Sequence, residues 1–143
     1  MAMVEFTLVA LPLFLILFGI AEMGWLFSRY LCVTQVARQG CREVALAQSL
    51  VQARAAMTNA AVAMGLDSAR LDLSDIGYRK RNTDGSWPAS FDVMTANDQA
   101  VTGDQVRVIV TYTYPALVGG FILSNNARVS ATTVMRREQI YEP

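Results

Sequence analysis

Residues 6–27 carry one ionisable side chain, Glu22, in an otherwise apolar run. As a helix such a run rises about 30 Å, enough to cross the hydrocarbon of a bilayer. The rest of the composition follows from it: 53% of the 143 residues are hydrophobic and 17% charged, too apolar for an ordinary soluble domain of this length. A cleaved secretory signal fits the run badly. Such a signal has a basic start, a shorter apolar core and small residues at its cleavage site, whereas "MAMVEF" is acidic and "IAEMGW" offers no such site.

The flanks raise a question of orientation. Arg29, Arg38 and Arg42 follow the run and nothing basic precedes it. Positive charge is retained on the cytoplasmic side of a membrane helix. Either the C-terminal part stays in the cytoplasm, or a basic leader once preceded Met1. Within the run, Pro12 is tolerated where neighbouring helices or lipid accommodate a kink. Gly19, Ala21 and Gly24 supply small residues that let helices approach closely. Glu22 is costly in lipid and is expected to face other helices or the membrane surface.

Helical character continues through "YLCVTQVARQGCREVALAQSLVQARAAMTNAAVAMGL". Leu31, Val36, Val44, Leu50 and Val51 are expected on its apolar face, with Gly40 a soft point. Gln48 and Ser49 mark a break into a second, shorter helix that ends at Gly65. One helix over residues 2–47 would be about 69 Å long, so its distal half needs a packing partner.

A small sheet supplies that partner. The clearest strand is "DQVRVIVTYTYP", with Val106, Val108, Val110, Tyr112 and Tyr114 on one face. "ARVSATTVMRRE" alternates through Val129, Ala131, Thr133 and Met135. "ARLDLSD" alternates through Leu71 and Leu73, but Ile76 and Tyr78 change parity, which points to a bulge or turn near Asp75. The expected fold is α+β: a long N-terminal helix and a second shorter helix packed on a three-stranded antiparallel sheet. Residues 1–28 form the apolar membrane or filament-core segment, 29–65 the amphipathic continuation and second helix, and 66–143 the sheet region. The greasy connection over residues 116–123 is either a cap on the core or a contact surface.

Chemistry is hard to find. The chain has no histidine and a formal charge of zero, which removes the commonest general base and any basic footprint for nucleic acid. Phosphate-loop, zinc and nucleophile-elbow motifs are absent from the sequence. The aspartates at 67, 72, 75, 84, 92, 98 and 104 lack the spacing of a calcium loop and read as solvated loop acids. "YRKRN", residues 78–82, reads as a solvated strand end. Cys32 and Cys41 lie about 13 Å apart and on opposite sides of a continuous helix, too far for a bridge to each other. They read as two small half-buried thiols, with an inter-subunit bridge or lipidation as the alternatives. No catalysis, cofactor or metal is expected.

"MVEFTLVALPLFLILFGIAEMG", the "ARQGCR" helix and the strand "ATTVMRRE" together resemble the TadE-like pseudopilins of tight-adherence (type IVc) pili. The resemblance covers about the first 45 residues well and the last dozen loosely. It implies a prepilin peptidase that removes a basic leader, leaving Met1 as the mature start with Glu5 and Phe6 as the register pair. It further implies a structural protein that assembles with copies of itself and other pilin subunits. An inner-membrane platform with an ATPase motor would drive this assembly, and membrane lipid would hold the subunit beforehand. The implied location is the bacterial inner membrane, single-pass with the C-terminal part outside the cytoplasm, and then the extracellular pilus. Major subunits of such pili are shorter, which favours a minor pseudopilin over the main filament subunit. The alternative is a non-polymerising single-pass anchor for an interaction or scaffold domain.

Overall fold

The computed structural model describes residues 2–46, 49–95, 103–114 and 127–137. Helix α1 (Ala2–Ala45) runs unbroken through Pro12 and through Gly40, and its 44 residues rise about 66 Å. Gly40 is no soft point. The Met57 side chain of α2 (Leu50–Ala63) lies where a Cβ on Gly40 would stand, so the glycine is the place where the two helices close on each other.

Both ends of α2 are written in local chemistry. Ser49 Oγ accepts a hydrogen bond from Gln52 N, and Ser49 N donates to Gln52 Oε1, each at 3.2 Å. This capping box satisfies orphan amides of the first turn. At the other end Gly65 takes φ +73°, the left-handed conformation that glycine adopts without strain. Its N–H donates to Val62 O and the Leu66 N–H to Ala61 O, both at 2.9 Å. Leu66 is buried beside Ala61, closing a Schellman motif.

After a short 3-10 turn (Ser68–Arg70) come β1 (Leu71–Asp72), β2 (Ile76–Arg79), β3 (Asp92–Val93), β4 (Gln105–Tyr114) and β5 (Ala127–Arg136). All pairings are antiparallel. The sheet has five strands where the sequence reading expects three. The extra ones are two-residue pieces: β1 and β2 lie end to end along one edge of β4, and β3 extends β2 outward. The sheet is thus four strands wide, in the order β5, β4, β1 with β2, then β3. The expected connection over residues 116–123 lies outside the described residues.

The join between β1 and β2 is the bulge that the change of parity points to. Leu71 faces Tyr112 and Asp72 faces Thr111, but Ile76 faces Val108. Three residues, 73–75, therefore stand against two, Ile109 and Val110. Asp75 O accepts from Ile109 N at 2.9 Å, and Asp72 Oδ1 holds Ser74 N at 3.0 Å. The inserted residue returns Leu71, Leu73, Ile76 and Tyr78 to the same side of the sheet.

That side meets the helices. Val106, Val108, Val110, Tyr112 and Tyr114 of β4, with Val129 and Ala131 of β5, are buried against Val33, Val36, Ala37, Cys41 and Val44 of α1. Two expected members of the helical face are elsewhere: Leu31 is 47% and Val51 69% exposed. Alanines at 37, 53 and 61 and Met57 take their places, because the seam is set by where α1 and α2 cross.

The outer face of the sheet is covered in part by the 80–91 segment. Arg79 lies between the Trp87 and Phe91 rings, 5.5 and 4.5 Å from their centroids, and Arg107 lies 4.7 Å from Phe91. Arg79 also donates to Gln105 Oε1 (2.8 Å) and Pro88 O (2.7 Å), and Arg107 pairs with Asp75 at 3.1 Å. Phe91 fits because Gly77 beneath it has no Cβ; one would stand 3.1 Å from the Phe91 Cβ. Arg79, read from sequence as part of a solvated cluster, is half-buried structural cement. The turn at Asp84-Gly85 forms as expected: Asp84 accepts from Ser86 N (2.8 Å) and Oγ (2.7 Å). These bonds hold its carboxyl below the ordinary range.

Candidate functional site

Helix α1 divides into two halves. Its first fully buried residue is Val33. The stripe facing the sheet begins one to three turns earlier with Glu22, Leu26 and Arg29, all half-buried. Below Glu22 the helix stands clear of the other described residues. Residues 3–21 rise about 28 Å, and Glu5 is their only charge. Phe6 is 72% exposed, Leu8 76% and Leu11 65%. The helix is long and apolar enough to cross a membrane. Exposed apolar area on this scale marks a surface made for lipid or protein.

Glu5 lies in the first turn of α1, where a carboxylate complements the helix dipole. Phe6 and Pro12 are exposed on the free half. Met1 lies outside the described residues. Gly19 and Gly24 have open space where a Cβ would stand, so packing within the chain does not require either glycine. Five residues apart, they project about 140° apart around the helix and do not form one flank.

The junction with the sheet is built from residues whose partners are far away in sequence. The Trp25 and Tyr114 rings meet edge to face, 5.1 Å apart and inclined at 71°. Arg29 stacks 4.8 Å from the Trp25 ring and donates to Gly65 O at 2.7 Å. It thereby places a cation at the C-terminal end of α2, where the helix dipole favours one. Burial, and secondarily the Glu22 charge, raise the Tyr114 pKa. Sequence reasoning took Arg29 only as an orientation charge, placed Tyr114 only on the core face of its strand and passed over Trp25; no local spacing links positions 25, 65 and 114. Beside the junction, a groove of about 330 Å³ opens between α1 and β5, walled by Met23, Leu26, Phe27, Tyr30 and Val129.

Both cysteines are free thiols. Cys41 is fully buried in the helix–sheet seam, well beyond the apolar run, with its Sγ 3.4 Å from Val106 O and 3.7 Å from Thr133 O. Burial pushes its pKa up to about 11. Cys32 is half-buried. Of the two thiols proposed to link subunits, Cys32 is the one with access to solvent. Among the described residues, no three Cys, Asp or Glu side chains gather within reach of a single ion.

No curated protein and no solved structure matches the chain. A family model does match: residues 1–42 fit that of the TadE-like protein family, a span that takes in the free half of α1, the junction residues Trp25 and Arg29, and the seam as far as Cys41. Over those residues the chain is similar to the TadE-like family, which the pattern around Glu5 and Pro12 also resembles.

Proposed function

We propose that this chain is a structural subunit of a tight-adherence (type IVc) pilus, a minor pseudopilin or the main filament subunit, whose work is assembly and not catalysis. The observation that carries the reading is the free half of α1: about 28 Å of uncovered apolar helix within the TadE-like match. In the membrane, lipid covers residues 3–21; in the filament, the same residues of neighbouring copies do so. The exchange is between two apolar environments and needs little net burial. Glu5 then fixes the register. A carboxylate in low dielectric is strongly disfavoured unless paired, and a free α-amino group, its own or that of a neighbouring subunit, pairs it. The partners are copies of this chain, other pilin subunits, a prepilin peptidase and an inner-membrane platform with its ATPase motor. The sheet end faces away from the cytoplasm and then forms the filament exterior.

The test is Glu5→Gln, with Glu5→Asp as the conservative companion, in cells that assemble the filament. The expected result is loss of filament incorporation with unchanged membrane insertion, and a mature N-terminus at Met1 by mass spectrometry. Normal incorporation of Glu5→Gln would overturn the register role of Glu5, whereas absence of the unaltered chain from the filament, or protease protection that places the sheet in the cytoplasm, would make the chain a non-polymerising anchor for an interaction domain.

A further inference from the structure

The sheet ends in two edges, and one row of residues crosses it from one to the other. Val93 of β3 faces Gly77 of β2, Gly77 faces Arg107 of β4, and Arg107 faces Val134 of β5. Among the described residues β3 pairs only with β2 and β5 only with β4, so each end of the row is an open edge. Val93 is 68% and Val134 47% exposed, and among the described residues they are the large apolar side chains that the sheet leaves uncovered. Both stand on its outer face, since Met94 and Met135, their neighbours in sequence, turn to the core.

The backbone groups at the two ends match as well. Met94 N–H donates to Ile76 O at 2.8 Å, and Arg137 N–H to Asp104 O at 2.9 Å. Ladder bonds alternate from residue to residue along an antiparallel strand. Val93, one step from Met94, and Val134, three steps from Arg137, therefore turn their own N–H and C=O groups outward. Such an edge is a template for a further strand.

Direction chooses the partner. The strands lie along α1: Cys41 meets Val106 and Trp25 meets Tyr114, about 24 Å of helix against about 26 Å of strand. Every pairing from β3 through β2 and β4 to β5 is antiparallel, so β3 and β5 run in opposite directions. Copies held in one membrane stand parallel, and β5 of one then meets β3 of the next as an antiparallel pair. Pairing β5 with a second β5 requires either a rod turned end over end or helices on opposite faces of the joined sheet. Width agrees with this choice. Four strands span about 19 Å, and two helices side by side cover about the same. The helix layers of successive copies neither collide nor leave the sheet bare, and their free halves stand far enough apart to admit the helix of a third copy.

We propose that β5 of one copy pairs with β3 of the next, Val134 opposite Val93, so that the sheet continues from subunit to subunit. Two different edges meet, so the contact is heterologous and propagates along a row of copies. In this register Thr132 comes opposite Thr95 and Arg136 opposite Phe91, and no like charges face each other. The inference rests on the reading of the chain as a membrane-held subunit that assembles with its own kind, and goes beyond it in naming the surface through which the folded halves join.

The test is disulfide cross-linking of the full chain, with Cys32→Ser, in the membranes and filaments of cells that assemble the pilus. Val93→Cys and Val134→Cys replace exposed side chains and leave the core intact. Together in one chain they should give, on mild oxidation, a ladder of covalent dimers, trimers and larger species. Carried on separate chains and co-expressed, they should give dimers and nothing larger, and either alone should give monomers. Val93→Cys with Ser130→Cys, about 13 Å further along the same edge, should cross-link several-fold less. Monomers alone from the double variant, or dimers from a single one, would overturn the edge pairing; filaments that still contain the chain would leave the assembly reading standing. A ladder in membranes whose filaments never contain the chain would keep the pairing and bring down the pilus reading. Monomers and absence from the filament would bring down both.

Discussion

Single residues carry the seam between α1 and its partners, and two of them make sharp predictions. Gly40 stands where the Met57 side chain crosses α1, and Met57 is fully buried. Gly40→Val should lower stability by about 1–3 kcal/mol, the usual cost of forcing extra carbons into a packed core. Gly40→Val combined with Met57→Ala should recover part of that loss in chemical denaturation, because the clash is with a side chain. Cys41 gives a pH signature. Its thiol rises from an ordinary 9.0 to about 11 in the folded chain, so the folded state holds this proton more tightly than the unfolded one. The corresponding stability is complete below pH 9 and is lost as pH climbs toward and through 11. Cys41→Ser, which cannot ionise in this range, should flatten that fall. Under native conditions near pH 8, an alkylating reagent should modify Cys32 and spare Cys41 until the chain is unfolded, as mass spectrometry of the labelled peptides would show.

At the level of elements, the bulge between β1 and β2 decides which side chains reach the core. The residues at 73–75 exceed their partners on β4 by one. Deleting Ser74 removes the excess and leaves Leu71, Leu73, Ile76 and Tyr78 alternating regularly, so a continuous ladder keeps all four on the core side. Ile76 is fully buried, and losing such a residue from a core costs about 2–5 kcal/mol. Deletion should therefore cost much less than that in equilibrium unfolding, whereas Ile76→Ala, which empties the core position, should cost the full amount. This bulge was legible in the sequence because parity is a local count. The faces of β4 and β5 and both caps of α2 were legible for the same reason. The ladder of Trp87, Arg79, Phe91 and Arg107 was not, since its order in space follows from a loop folding back over Gly77. Nor were Leu31 and Val51 placed correctly: in an alanine-rich helix pair, several apolar stripes compete, and only the crossing at Gly40 chooses among them. For the candidate site, the free apolar segment with Glu5, Phe6 and Pro12 could be read directly. The junction of Trp25, Arg29, Gly65 and Tyr114 could not, since it joins positions up to 89 apart in the chain.

The whole molecule is a rod with a domain on its upper half, and the two halves share little energetically. Every fully buried residue from Val33 onward belongs to the helix–sheet core, while residues 3–21 touch that core nowhere that buries them. Among the described residues, Glu22, Leu26 and Arg29, with the Trp25–Tyr114 stack, link the two. The filament-subunit reading proposed above needs this separation: the lower half would trade lipid for neighbouring helices while the upper half stays folded throughout. If the division is real, a chain beginning at residue 22 should fold without membrane or detergent. Its far-UV circular dichroism should show the loss of about twenty helical residues. Its thermal midpoint should lie within a few degrees of the domain transition in the micelle-bound full chain, as for a two-state unit that keeps its whole core. Trp25→Ala and Arg29→Ala in that fragment should then lower the midpoint, because both tie α1 to the sheet and to α2 above the cut. A fragment that unfolds or aggregates would show that residues 3–21 stabilise the domain. Leaving the bilayer would then remodel the subunit as well as transfer it, and Glu5 could no longer be treated as acting on register alone.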